Sequence, residues 1–106
     1  VFLEGGVQIM AGVIIQPNCH IKANSIINTR TSIDHDCAIE ENVHIAPGAI
    51  LCGNVSVKKR AFVGAAACIM PRLTIGVDAI VGAGTTVLDN VPAGSTYLGK
   101  RLNKES

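Results

Sequence analysis

Three residues in the stretch Thr31 to Ala38, TSIDHDCA, have the types and spacing for proton-transfer chemistry: Asp34, His35 and Asp36. Histidine is the side chain whose charge changes near neutral pH, so it can take a proton from an attacking amine or hydroxyl. A carboxylate beside it can fix the ring tautomer and stabilise the imidazolium. Either aspartate could play that part. The plainer reading is a His-Asp pair that serves only as turn chemistry, but it leaves a histidine flanked by two carboxylates unexplained. The other histidines, His20 and His44, have no such flanks.

The elements that position this trio are visible as a repeat. Stepping by six from Leu3 through Ile9 and Ile15 to Val81 and Val87 meets only Leu, Ile or Val, at fifteen consecutive positions. The position two before each is small or apolar, as in Val13, Cys19, Ser25, Thr31 and Cys37. The position three before is most often Gly, Asn or Asp, which tolerate a positive φ at least cost. Two inward side chains spaced by two define a short strand. The turn residue then bends the chain, and hexapeptide repeats of this kind are the signature of a β-helix. Three hexads make an 18-residue coil, so residues 18 apart stack about 4.8 Å apart. The period predicts an all-β chain of about five triangular coils over residues 1–91, followed by a C-terminal capping segment or tail over 92–106, where Pro92 and Gly94 break the pattern.

The same period places His35 at a corner. The residue 18 earlier is Pro17 and the residue 18 later is Gly53. The spot above the imidazole therefore carries no side chain, and a bare backbone N–H lies beside it. A donor so placed suits an oxyanion that develops during acyl transfer. On another side of the triangle, Ala46, Gly64 and Gly82 stack, with Pro47, Ala65 and Ala83 after them. Such a bare stripe admits a long thin ligand or a flat contact with another copy.

Composition narrows the classes. The chain of 106 residues is 48% hydrophobic but has only three aromatics, Phe2, Phe62 and Tyr97, so its core is aliphatic. A net charge of +1, with no basic run longer than Lys58–Lys59–Arg60, gives no support for nucleic-acid binding. No apolar run approaches a membrane span, and no signal peptide is visible, so a cytoplasmic location is expected. Cys19, Cys37, Cys52 and Cys68 have no metal-site spacing and read as small reduced hydrophobes. The chain begins at Val1, inside an ongoing pattern, as a fragment would.

The unbroken hexads from about Gly5 to Gly99 resemble the single-stranded left-handed parallel β-helix of the hexapeptide-repeat acyltransferases. The left hand is implied by that resemblance and runs against the usual crossover rule. The segment IDHDCAIEENVHIAPGAILCGN (Ile33 to Asn54) is similar to the branch that acetylates amino sugars on nucleotide carriers and hydroxyls of sialic acid. VPAGSTYLGK (Val91 to Lys100) resembles that branch's closing segment, although Lys100, Arg101 and Leu102 stand where Pro-Ala often follows the Gly. The sequence is expected to lack the N-terminal nucleotide-sugar-binding domain usual in the family.

The resemblance implies direct transfer from acetyl-CoA to the amine or hydroxyl of a sugar-type acceptor. His35 would be the general base and Asp36 its acidic partner, with the Gly53 N–H as oxyanion donor. Gly64, Ala65, Ala83 and Lys100 would line the cofactor, and Asn28, His44 and Asp34 the acceptor. No Cys shares the histidine's corner position, which disfavours a thioester intermediate. The family assembles as homotrimers with sites between subunits. His35 and His44 fall on different sides of a regular triangle, so they can meet only across such an interface. His44 and His20 otherwise read as ordinary exposed histidines. Two other functions compete. One is a β-helix binding or oligomerisation module without catalysis. The other is a zinc enzyme of the carbonic anhydrase type, whose closely spaced histidines are not matched by positions 20, 35 and 44. No metal is expected.

Overall fold

The computed structural model describes residues 1–99. Sixteen two-residue strands, β1 (Phe2–Leu3) to β16 (Thr96–Tyr97), wind into a left-handed parallel β-helix of about five coils and three faces. Face I stacks β1, β4 (His20–Ile21), β7 (Ala38–Ile39), β10 (Ser56–Val57) and β13 (Thr74–Ile75). Face II stacks β2 (Gln8–Ile9), β5 (Ile26–Ile27), β8 (His44–Ile45), β11 (Phe62–Val63), β14 (Ile80–Val81) and β16. Face III stacks β3 (Ile14–Ile15), β6 (Ser32–Ile33), β9 (Ile50–Leu51), β12 (Cys68–Ile69) and β15 (Thr86–Val87). The register is 18 residues throughout this part, as Ile27↔Ile45 and Ile33↔Leu51 show.

The repeated aliphatic residue of each hexad points into the prism. From Ile21 to Val87 all twelve of these residues are buried. Small inward residues fill the corners, and several also satisfy the backbone. Ser25 Oγ donates to the Glu40 carbonyl at 2.6 Å, Thr31 Oγ1 to that of Ala46 at 3.1 Å, and Cys37 Sγ to that of Cys52 at 3.2 Å. A buried carbonyl left without a partner costs about 1–3 kcal/mol, so these contacts explain polar residues in an aliphatic core. Burial pushes the Cys37 thiol up to about 11, which suits an inert structural cysteine.

The turns obey the period more strictly than the residue types do. Every sixth residue from Gly6 to Gly84 has a positive φ, including Arg30 (60°), Arg60 (59°), Ala66 (60°) and Arg72 (63°). Coil stacking overrides local preference there.

The two ends differ. At the N-terminal end the inward residues Leu3 and Ile9 are 45% and 39% exposed. At the other end the last coil is two residues short. Val91 bridges Ile75, and β16 pairs Thr96 with Ile80 and Tyr97 with Val81, each at a step of 16. Thus the segment after Pro92, expected as a cap, adds one more strand to face II. The missing residues come out of the corner after Val87, where Asn90 Oδ1 accepts from the Thr74 N–H at 2.8 Å. Tyr97 packs on the core, and its hydroxyl accepts from the Leu88 N–H at 3.3 Å.

Candidate active site

The turn between faces III and I carries the trio. Ile33 and Cys37 are inward and buried, so the backbone on either side of the turn is fixed and only residues 34–36 project outward. Asp34 Oδ1 accepts from the His35 N–H at 2.7 Å. Asp36 takes the left-handed turn position, with φ 59°, and its N–H donates to the Pro17 carbonyl at 3.1 Å. This geometry brings Asp36 Oδ2 to 2.9 Å from His35 Nδ1. The pair is accessible, with His35 53% and Asp36 46% exposed. When Asp36 accepts a hydrogen bond from Nδ1–H, Nε2 is left with its lone pair, the arrangement a general base requires.

The glycine above the histidine is present for a measurable reason. A Cβ at Gly53 would lie 2.8 Å from both Cε1 and Nε2 of His35 and 3.5 Å from Cδ2. The imidazole therefore lies against Gly53 and fills the space the sequence suggested was open. Gly53 itself is buried, and its carbonyl accepts from the Arg72 N–H at 2.9 Å. The Gly53 N–H has no hydrogen-bond acceptor among the described residues.

The other expected residues divide by face. Asn28 stands at the corner between faces II and III, half-buried, and its Oδ1 accepts from the N–H and hydroxyl of Thr29 at 2.7 and 3.2 Å. His44 lies on face II between Ile26 and Phe62 in the register, its ring edge-on to Phe62 at 5.3 Å. Its Nε2 is shut off from solvent and has no partner among the described residues. Gly64 is buried, and a Cβ there would meet the Ala83 N at 2.6 Å and the Val81 carbonyl oxygen at 2.7 Å. The coil above thus leaves no room for a side chain at Gly64. Ala65 and Ala83 are exposed on the corner between faces II and III. Lys100 lies outside the described residues.

One chain therefore gathers His35, Asp34, Asp36 and Gly53 at a single corner. Asn28, His44, Ala65 and Ala83 lie on face II or its far corner, as the triangle requires. Two features were not read from the sequence. The first is a cleft of about 400 Å³ lined by Ala83, Gly84, Thr85, Thr86, Leu88, Leu98 and Gly99, which exists because Leu98 and Gly99 return over the fifth coil. The second is an outward apolar ladder on face II, Ile26, His44, Phe62 and Ile80, with Phe62 and Ile80 exposed. The ladder's signal was available, since these residues sit one before the repeated aliphatic positions at steps of 18. No group of three or more His, Cys, Asp or Glu side chains is placed to hold a metal among the described residues. No helix of the described residues is long and apolar enough to cross a membrane.

Comparison with known proteins places this corner in context. No family model matches the chain. It is 32% identical over 109 residues to the bifunctional protein GlmU of Thermosipho africanus, covering 81% of this chain and 24% of that protein. Among solved structures it is similar to the acetyltransferase domain of PglB from Neisseria gonorrhoeae in complex with acetyl coenzyme A. That match has a TM-score of 0.81 and 30% identity over 89% of this chain and 50% of the other. PerB from Caulobacter crescentus, in complex with CoA and GDP-perosamine, gives a TM-score of 0.80 and 37% identity over 89% of this chain and 49% of that one. The chain thus spans about a quarter of that curated relative and about half of the two solved ones.

Proposed function

Because the chain belongs to the hexapeptide-repeat acyltransferase family, we propose that it transfers an acetyl group from acetyl-CoA to an amine or hydroxyl of a sugar-type acceptor. His35 is the general base. The observation that carries this reading is the fixed imidazole, with Nδ1 on Asp36 and Nε2 against Gly53. With Nδ1–H donated to Asp36, Nε2 takes the proton as the acceptor nitrogen or oxygen attacks the thioester carbon. The carbonyl oxygen that becomes negative needs a donor, and the unpaired Gly53 N–H is the candidate. Collapse of the tetrahedral intermediate expels the CoA thiolate, which recovers a proton from the imidazolium. No cysteine shares this outward turn position, so no acyl-enzyme is required.

The donor would occupy the corner between faces II and III. The cleft at Ala83 supports the nucleotide end, and the exposed Ala65 below it leaves room for a pantetheine arm. PglB and PerB were solved with acetyl-CoA or CoA, and PerB also with a nucleotide sugar, which supports the same ligand classes here. That corner and His35 lie apart in one chain, so a homotrimer would join them across subunits. The face II ladder and the unpartnered His44 Nε2 support such an interface, because a buried polar atom without a partner is uncommon and calls for one. The experiment is thiol release from acetyl-CoA with a panel of amino sugars and nucleotide-linked amino sugars. The expected result is that His35→Ala lowers kcat by about 10²- to 10⁴-fold. Equal rates in wild type and variant would reduce the corner to turn chemistry, and no turnover with any acceptor would favour a binding module.

A further inference from the structure

Three sulfur-bearing residues share the outer surface of face III, next to the histidine corner. The register pairs Cys68 with Ile50 and Ile69 with Leu51, so Met70 comes level with Cys52 one coil below. The Cys52 N–H donates to the Ile69 carbonyl at 3.0 Å, which holds the two coils together at this point. Residues 50, 52, 68 and 70 all point away from the prism, because Leu51 and Ile69 point into it. Cys68 therefore sits diagonally above Cys52, and Met70 directly above it. All three retain contact with solvent: the two cysteines are half-buried and Met70 is exposed. Burial and the neighbouring Cys68 sulfur hold the Cys52 thiol above its ordinary range. Asp34, one coil below Cys52, contributes in the same direction, so a negative charge faces the group.

We propose that Cys52, Cys68 and Met70 form a binding site for one soft monovalent cation, copper(I). The Cys52 and Cys68 side chains are hydrogen-bonded neighbours on adjacent coils, within reach of one bridging ion. Two thiolates and a thioether are soft ligands and select copper(I) over hard cations such as magnesium or calcium. Each thiol that binds releases its proton to solvent, up to two per ion, so binding strengthens as pH rises. The Asp34 carboxylate favours the incoming positive charge. Sequence spacing does not reveal this set, because its ligands come from consecutive coils and not from one turn. Cys19 and Cys37 are buried inside the prism and are not part of it.

The test is an anaerobic titration of the full chain with copper(I) in competition with bicinchoninate, followed by the loss of the coloured chelate. Wild type is expected to withdraw one equivalent per chain, with proton release and thiolate-to-copper ultraviolet absorption. Cys52→Ser with Cys68→Ser is expected to withdraw none, and Met70→Leu to withdraw a smaller share at the same chelator concentration. Far-ultraviolet circular dichroism that matches wild type shows that each variant keeps the β-helix. Wild type that leaves all copper with the chelator, or a folded double variant that still takes one equivalent, would overturn the assignment. The readout is binding alone, so it is independent of acetyl transfer.

Discussion

His35 can act only if its ring is held where Asp36 and Gly53 place it. Of these contacts, Gly53 offers the sharpest handle. It has no positive φ, so alanine costs the backbone nothing there, yet its Cβ would occupy the ring's position at 2.8 Å from Nε2. The exposed imidazole must swing outward. Gly53→Ala should therefore keep its thermal midpoint and lose about 10²-fold in kcat, the scale on which a misplaced catalytic group costs rate. Unchanged turnover in steady-state assays would contradict the role given to the glycine. Much of this corner was legible beforehand. The flanking aspartates mark His35, and a count of 18 identifies Gly53. What the count did not supply is that the ring itself fills the space, because a repeat fixes backbone height but not a χ angle. Gly64 shows the opposite limit. Its lack of a side chain reads as a ligand groove, and the close approach of the next coil's backbone adds a packing requirement that the sequence does not show.

At the scale of the element, each hexad must deliver one aliphatic side chain inward and one residue with positive φ. The inward series was fully legible, since Leu, Ile and Val recur without a gap. Removing one side chain should cost a cavity. Ile69→Ala, at a fully buried site, is expected to lose about 2–5 kcal/mol, read from urea denaturation. The turn series was legible only as a period, because Arg30, Arg60, Ala66 and Arg72 do not belong to the usual turn types. At Ala66, φ is 60° and glycine is the better fit. Ala66→Gly should raise stability by about 1 kcal/mol, the left-handed strain relieved less the freedom glycine adds to the unfolded chain. A loss of stability would show that the stacked turn favours a side chain. The shortened last coil was beyond the repeat, since its step of 16 is set by Val91 and Tyr97 finding Ile75 and Val81 in space.

For the whole molecule, the three corners have separate characters. The corner between faces I and II is charged. Glu40 accepts from the Lys59 N–H at 3.1 Å, and Arg60 pairs with Asp78 through two hydrogen bonds of 2.8 and 2.9 Å. The Arg60 guanidinium holds the Asp78 carboxyl below its ordinary range, so that pair's contribution is present at neutral pH and lost as pH falls through the folded-state value. Face II is apolar on its outside and is where a trimer would close. Phe62→Asp should place a charge on the Ile26–His44–Phe62–Ile80 ladder and shift sedimentation from trimer to monomer. A monomeric wild type would show that face II is not an interface. In a trimer, the His35 corner and the small-residue corner would be the two halves of one site, supplied by different subunits.

The most direct test of that arrangement is a crystal structure of the assembled protein with acetyl-CoA. The nucleotide end is expected in the cleft at Ala83, Thr86 and Leu98. The thioester carbonyl is expected beside Nε2 of a neighbouring subunit's His35, with its oxygen directed at a Gly53 N–H. An acetyl group bound at the charged corner, or on any surface remote from every His35, would contradict it.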